Sequence, residues 1–147
     1  MSERLDASIA HSLGVYVHWP FCLSICPYCD FNVHVLKNVD QDSWLKAYAA
    51  EIQHLGNLTD YAHPVTSVFF GGGTPSLVRP DILEGVLNEI ATVWGLAQNA
   101  EISLEANPVG LDRPLLEDLK RAGITRFSMG VQSLDDEALS FLGRTHN

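Results

Sequence analysis

The chain has 147 residues, 46% of them hydrophobic and 18% charged, with a formal net charge of −9. That length and apolar mass suit one compact domain with its own core and exclude a disordered chain. An excess of 18 acidic over 9 basic side chains argues against non-specific nucleic-acid binding and against docking on anionic lipid, and no apolar run reaches the length of a membrane span.

The opening MSERLDASIAHSL has no basic region followed by an apolar stretch, so no secretory signal is expected and the predicted setting is cytoplasmic. Residues 14–18, GVYVH, alternate and are β-rich, which predicts a first strand. Three cysteines follow within eight residues: Cys22, Cys26 and Cys29. Residues 42–55 carry Trp44, Leu45, Tyr48, Ala49, Ile52 and Leu55 at helical spacing, with Asp40 or Asp42 as N-cap. Residues 65–70, VTSVFF, read as a buried strand running into glycines. Residues 80–94 put Ile82, Leu83, Val86, Leu87, Ile90 and Trp94 on one helical face, with Pro80 in the first turn and Gly95 as the stop. A strand at 101–106 precedes a helix at 113–122, capped by Asp112, with Pro114 near its start and Gly123 at its end. A strand at 125–130 and a helix at 135–142 complete the pattern.

Four β/α units in succession predict an α/β fold with a parallel sheet and right-handed crossovers. Chemistry in such folds collects beyond the carboxyl ends of the strands. Those loops hold the cysteines, GGGTPS at 71–76, Glu105-Ala-Asn-Pro, and Gly130-Val-Gln132-Ser. The unusual residues therefore fall on one edge of the sheet. The fourth strand should leave an open edge, as expected of part of a longer domain.

The pattern C-x-x-x-C-x-x-C places cysteines at i, i+4 and i+7, which a helix would align as one apolar stripe. Pro27 between them and Pro20 upstream oppose a helix, so the segment is expected to be a loop. An odd number of closely spaced thiols argues for a metal centre over a disulfide framework. Zinc would need a fourth ligand, which His18 or His34 could supply. A four-iron cluster held by three thiolates would instead leave one iron open to a further ligand.

The stretch VYVHWPFCLSICPYCDF resembles the cluster loop of radical S-adenosylmethionine (SAM) proteins. More narrowly it resembles the family of oxygen-independent coproporphyrinogen III oxidase and the haem chaperone HemW. The resemblance runs from about residue 14 to residue 147 and includes FFGGGTPS, ISLEANP and GITRFSMGVQSLDDEALSFLGRTH. It implies a TIM-like partial barrel of six β/α units, of which this chain would hold the first four, residues 1–147 being the N-terminal part of the core domain. The later strands and a C-terminal domain would be absent.

By that resemblance Cys22, Cys26 and Cys29 would ligate three irons of a [4Fe–4S] cluster, with SAM on the fourth. An electron donor would reduce the cluster, and SAM would be cleaved to methionine and a 5′-deoxyadenosyl radical. Gly72, Gly73 and Thr74 would meet SAM, the glycines through close backbone approach. Glu105, Gln132, Arg144, Tyr16 and Tyr28 match family positions at the SAM pocket. A carboxylate such as Glu105 inside a parallel strand should also meet a cation or a donor, because burying it unpaired is costly. His18 would pack near the cluster, while His34, His54 and His63 read as surface, helix-end or loop residues; His146 sits in the family-like string LGRTH.

The oxidase has a further cysteine two places after the third; here that position is Phe31. Only 21 residues precede Cys22, whereas the oxidase carries a longer N-terminal arm. Both departures favour a HemW-like chaperone, which binds haem and passes it to an acceptor protein. The catalytic residues stay unassigned, and a zinc-stabilised binding module stays open as a third reading.

Overall fold

The computed structural model describes residues 12–59 and 63–146; most of the N-terminal segment read above for a signal lies outside the described residues. Strands β1 (Leu13–Trp19), β4 (Val65–Gly72), β5 (Leu96–Ala106) and β6 (Arg126–Met129) form one parallel sheet in the order β1-β4-β5-β6. Helices α1 (Gln41–Leu58), α2 (Pro80–Trp94) and α3 (Arg113–Arg121) connect them, and α4 (Asp136–Phe141) follows β6. Two short strands, β2 (Phe21–Cys22) and β3 (His34–Val35), pair with each other alone.

The strand order follows the chain order. Each crossover therefore steps the same way, without the reversal that defines a doubly wound sheet. Helices α1, α2 and α3 pack their apolar side chains on one face, the arrangement of strands and outer helices in a (β/α) barrel, whose inner face the other side would form. The α/β class, the parallel sheet and the barrel-like winding expected from the sequence are all observed.

Alternation along the strands assigns the faces. Val17, Val68, Phe70, Ile102 and Leu104 are buried under Ile82, Leu83, Val86, Leu87 and Ile90 of α2 and Leu119 of α3. Each such side chain contributes roughly 1.5–3 kcal/mol by leaving water. The opposite face is mixed. Register places Tyr16 beside Phe69, Phe69 beside Ser103 and Ser103 beside Arg126. Arg126 Nε bonds Glu101 Oε1 at 2.8 Å and Ser103 Oγ at 2.7 Å, and Ser103 Oγ donates to Glu101 at 2.8 Å. The guanidinium also stands 5.9 Å from the centre of the Phe69 ring. Polar groups on the barrel wall thus satisfy one another.

The helix boundaries have identifiable causes. Asp40, not Asp42, caps α1: its carboxylate accepts the Ser43 N–H at 3.1 Å and the Ser43 hydroxyl at 2.7 Å. Asp42 instead pairs with Arg79 across to α2, at 2.7 Å. Leu55, expected on the apolar stripe of α1, is exposed, and Ile52 is the buried member. Helix α2 begins at Pro80 and stops at Gly95, whose φ of 75° opens the left-handed turn. Asp112 caps α3 through the Leu115 N–H at 2.9 Å. Strand β5 starts five residues before the predicted 101, at Leu96, which pairs with Val65 before a register shift.

Candidate functional site

The cysteine loop is anchored at both ends. Phe21 and Cys22 pair with His34 and Val35, and the His34 N–H donates to Pro20 O at 2.7 Å. An aromatic cluster roots the first anchor: Trp19 meets Phe21 at 5.1 Å and Trp44 at 5.9 Å between ring centres, and Trp44 meets Phe21 at 5.2 Å and Tyr48 at 5.5 Å. Residues 23–33 form an irregular loop with one tight turn, Cys29 N–H to Cys26 O at 3.0 Å. Proline and the lack of any helix there agree with the sequence reading. All three thiols are free.

The GGG segment docks onto the root of that loop. Gly73 N–H donates to Trp19 O at 2.7 Å, and Thr74 N–H to Phe21 O at 2.9 Å. The glycines are required by packing within the protein as much as by any ligand. A Cβ on Gly71 would come within 2.8 Å of the Tyr16 ring, one on Gly72 within 2.6 Å of the His18 ring, and one on Gly73 within 2.6 Å of Phe21 O. Gly72 also has φ of +111°. Its N–H donates to Glu105 Oε2 at 3.0 Å, the donor that a strand carboxylate was expected to need.

A cavity of about 240 Å³ opens between the cysteine loop and the carboxyl ends of the strands. Cys22, Cys26, Cys29, Tyr28, Gly72, Gly73, Glu105, Gln132 and Arg144 all line it. Tyr16 and Thr74 do not. Tyr16 lies on the barrel face of β1, stacked on Phe69 at 6.1 Å, with its hydroxyl 3.2 Å from His18 Nδ1. Thr74 turns its hydroxyl to Cys22 Sγ at 3.4 Å and borders a smaller hollow of about 110 Å³ on the other side of Cys26.

Arg144 comes from beyond α4, yet it reaches the cysteine loop. Its Nη1 is 3.5 Å from Cys26 Sγ, and its Nη2 donates to Gly130 O at 2.7 Å and Asn107 Oδ1 at 3.1 Å. Its Nε is buried without a partner, as is His146 Nδ1, while His146 Nε2 lies 2.8 Å from Val131 O. Gly143 packs against Pro27 at a distance where a Cβ would be 3.2 Å from the ring. Gln132 holds φ of +68°, the one positive value outside glycine among the described residues.

Burial pushes the Cys22 thiol up from its ordinary value; the Thr74 hydrogen bond opposes this, and the neighbouring Cys29 and Cys26 add to it. Burial also raises Tyr28, with hydrogen bonding to Cys26 acting the same way and Arg144 opposing. Tyr16 is raised by burial and then by the charge of Glu105. Burial thus holds these groups in their neutral forms, with smaller contributions from the neighbouring thiols and from Glu105.

Asn107 and Gly130, which belong to the strand-end strings read from the sequence, also line the cavity, as does Ser128, which no sequence signal marked. Asn107 was legible only as part of the string following Glu105; that its amide oxygen binds Arg144 depends on residues 37 positions apart. The zinc arrangement fares differently. His18 is engaged with Tyr16, and His34 lies in β3 with its ring 6.3 Å from Phe21. Among the described residues no three His, Cys, Asp or Glu side chains are grouped to hold a metal ion. A single zinc ion draws its thiolates to about 3.8 Å from one another, the edge of a tetrahedron with Zn–S of about 2.3 Å. A cluster has its own breadth and asks for no such convergence.

Comparison with known proteins gives a consistent picture. The family model of the Radical SAM superfamily matches residues 16–147. Radical S-adenosyl methionine domain-containing protein 1, mitochondrial, of Danio rerio is 41% identical over 140 residues, a match covering 95% of this chain and 31% of the fish protein. Heme chaperone HemW of Escherichia coli K12 is 42% identical over 141 residues, covering 91% of this chain and 35% of HemW. The solved structure of coproporphyrinogen III oxidase (HemN) from Escherichia coli, described as a radical SAM enzyme, superposes with a TM-score of 0.82 at 30% identity, covering 93% of this chain and 32% of HemN. The chain spans about a third of the length of these relatives. Such a family implies a [4Fe–4S] cluster and SAM, and the residues present fit them: three free thiols wall one cavity, with an unpartnered buried arginine nitrogen beside them. From the match over residues 16–147, with this fold and this loop, the chain belongs to the radical SAM superfamily.

Proposed function

We propose that this chain is the cluster- and SAM-binding part of a HemW-like haem chaperone. The observation that carries the reading is the convergence of Cys22, Cys26 and Cys29 with Glu105, Gln132 and Arg144 on one cavity. Three thiolates would hold three irons and leave the fourth for SAM. The chemistry such a cluster supplies when bound is one-electron reduction of a sulfonium. The chain's own part is to bind and orient: Tyr28, Gly72 and Gly73 shape the wall, Glu105 fixes Gly72, and Arg144 offers charge to a carboxylate. Tyr16 and Thr74 join the set with their side chains turned to His18 and Cys22.

Phe31 lines the cavity where the oxidase has its further cysteine, and this favours the chaperone. So do relatives at 42% and 39% identity that bear the name heme chaperone HemW. Haem, an acceptor protein and an electron donor are the partners this reading requires. No described helix is long and apolar enough to cross a membrane. We place the protein in the cytoplasm, although vertebrate relatives carry "mitochondrial" in their names.

Anaerobic reconstitution with iron and sulfide tests the first half: about four irons per chain and a spectral change on adding SAM are expected. Haem titration of the loaded chain, then transfer to an apo-acceptor, tests the second. Iron uptake with no haem binding would leave a SAM module without the chaperone role. The likeness to HemN favours one other reading, oxidative decarboxylation of coproporphyrinogen III. Anaerobic incubation of the loaded chain with that substrate and SAM decides it: decarboxylated product would replace the chaperone reading.

A further inference from the structure

We infer that Thr74 and Arg144 act on the cysteine sulfurs themselves and raise the redox potential of a cluster held there. The inference rests on the cluster reading above and adds to it a role that needs no SAM. Thr74 Oγ1 donates to Cys22 Sγ at 3.4 Å, and Arg144 Nη1 to Cys26 Sγ at 3.5 Å. Two of the three candidate ligands therefore carry a side-chain donor from outside the loop.

Each donor is held by other parts of the fold, so neither contact is a chance of a free side chain. The Thr74 N–H is bound to Phe21 O at 2.9 Å, and its carbonyl accepts the Leu77 N–H at 3.0 Å, opening the short 3-10 turn Pro75–Leu77. Arg144 is fixed by its own N–H on Leu139 O at 2.8 Å and by Nη2 on Gly130 O and Asn107 Oδ1. Gly143 seats the same segment against Pro27, inside the cysteine loop.

The physics gives the sign. A donor facing a thiolate sulfur withdraws charge from it, and the bond strengthens as the cluster gains an electron. The reduced form is stabilised more than the oxidised one, so the potential rises. Arg144 adds a positive charge to its hydrogen bond; Thr74 offers the hydrogen bond alone. Losing either should make the cluster harder to reduce. A residue that only contacts SAM would leave the SAM-free potential where it was.

The test uses the whole chain, reconstituted anaerobically with iron and sulfide, as wild type and as Thr74→Val, Thr74→Ser, Arg144→Met and Arg144→Lys. After iron analysis, the midpoint potential is read by dithionite titration monitored by electron paramagnetic resonance, with SAM absent. We expect Thr74→Val to shift the midpoint to more negative values, Arg144→Met to shift it further, and Arg144→Lys to fall between Arg144→Met and wild type. Thr74→Ser keeps the hydroxyl and should stay at the wild-type value. Wild-type potentials in Thr74→Val and in whichever Arg144 variants load a cluster, with changes seen only after SAM is added, overturn the inference and leave the cluster reading intact. A wild-type chain that takes up no iron removes both at once.

Discussion

Glu105 Oε2 accepts the backbone N–H of Gly72 at 3.0 Å, across the neighbouring strands β4 and β5. The bond settles a local problem: Gly72 ends its strand at φ of +111°, where its N–H has left the regular ladder. One carboxylate oxygen therefore serves the fold, and the side chain still lines the cavity. Glu105→Ala should leave a partly buried donor unpaired and cost about 1–3 kcal/mol, whereas Glu105→Gln keeps an acceptor and should cost less than half of that. Urea unfolding of the chain measures both. Equal losses in the two variants would show that the carboxylate's charge, not its acceptor role, holds the turn.

The glycines of the same segment differ in what an added methyl would meet. Gly72→Ala combines a positive φ with a Cβ 2.6 Å from the His18 ring and 2.9 Å from Trp19 O. Gly73→Ala would press on Phe21 backbone at 2.6 Å with no flexible atom to yield. Gly110 has φ of +87° but open space around it. Gly110→Ala should therefore cost only the left-handed backbone term, about 1–2 kcal/mol. Gly72→Ala and Gly73→Ala should each cost more than about 2 kcal/mol. A Gly73→Ala chain as stable as Gly110→Ala would refute this packing account.

Much of this arrangement could be read from the residues in order. Apolar periodicity placed α2 at its observed bounds, and Asp112, Pro80 and Gly95 marked ends that local chemistry decides. The cysteines, Glu105 and Gln132 fell on one sheet edge because alternation of strand and helix fixes where strand ends lie. Other features depend on distant parts of the chain meeting. The pairing of Phe21–Cys22 with His34–Val35 is two residues long and has no period to detect. The reach of Arg144 to Cys26 spans 118 positions. Glycines at 71–73 suggested room for a ligand; the rings of Tyr16 and His18 and the Phe21 backbone already use much of that room. Thr74 meets a sulfur, which no spacing announces.

Alkali should destabilise the fold over a definite window. Burial pushes Tyr48 up from 10.0 to about 12, and its hydroxyl donates to His18 O at 2.6 Å. Below pH of about 10 both the folded and unfolded chains keep this proton, so the full stability is present. Between about 10 and 12 the unfolded chain releases it first, and stability falls as pH rises. Tyr16 and Tyr28 are raised by burial too and act with the same sign. Tyr48→Phe should make the decline shallower over this window while lowering stability near neutrality through the lost hydrogen bond. An unchanged slope from melting curves taken between pH 9 and 12 would mean that the tyrosine keeps no proton advantage when folded.

Gln132 separates stability from binding. Its φ of +68° is a conformation that costs an L-residue with a side chain roughly 1–2 kcal/mol and glycine almost nothing. The backbone pays this in a loop that lines the cavity, and the side chain folds over Gly130, where a Cβ would be 3.3 Å from its Nε2. Glycine at this position would relieve the strain but give back about 0.5–1 kcal/mol through the freer unfolded chain. Gln132→Gly should therefore be as stable as the parent or up to about 1.5 kcal/mol more stable. The same variant should weaken the spectral response of a reconstituted chain to SAM, because the amide that lines the cavity is gone. A loss of stability in urea unfolding would reverse the argument: the side chain would then be holding the loop, and its strained backbone would be an effect of packing and not of a binding role.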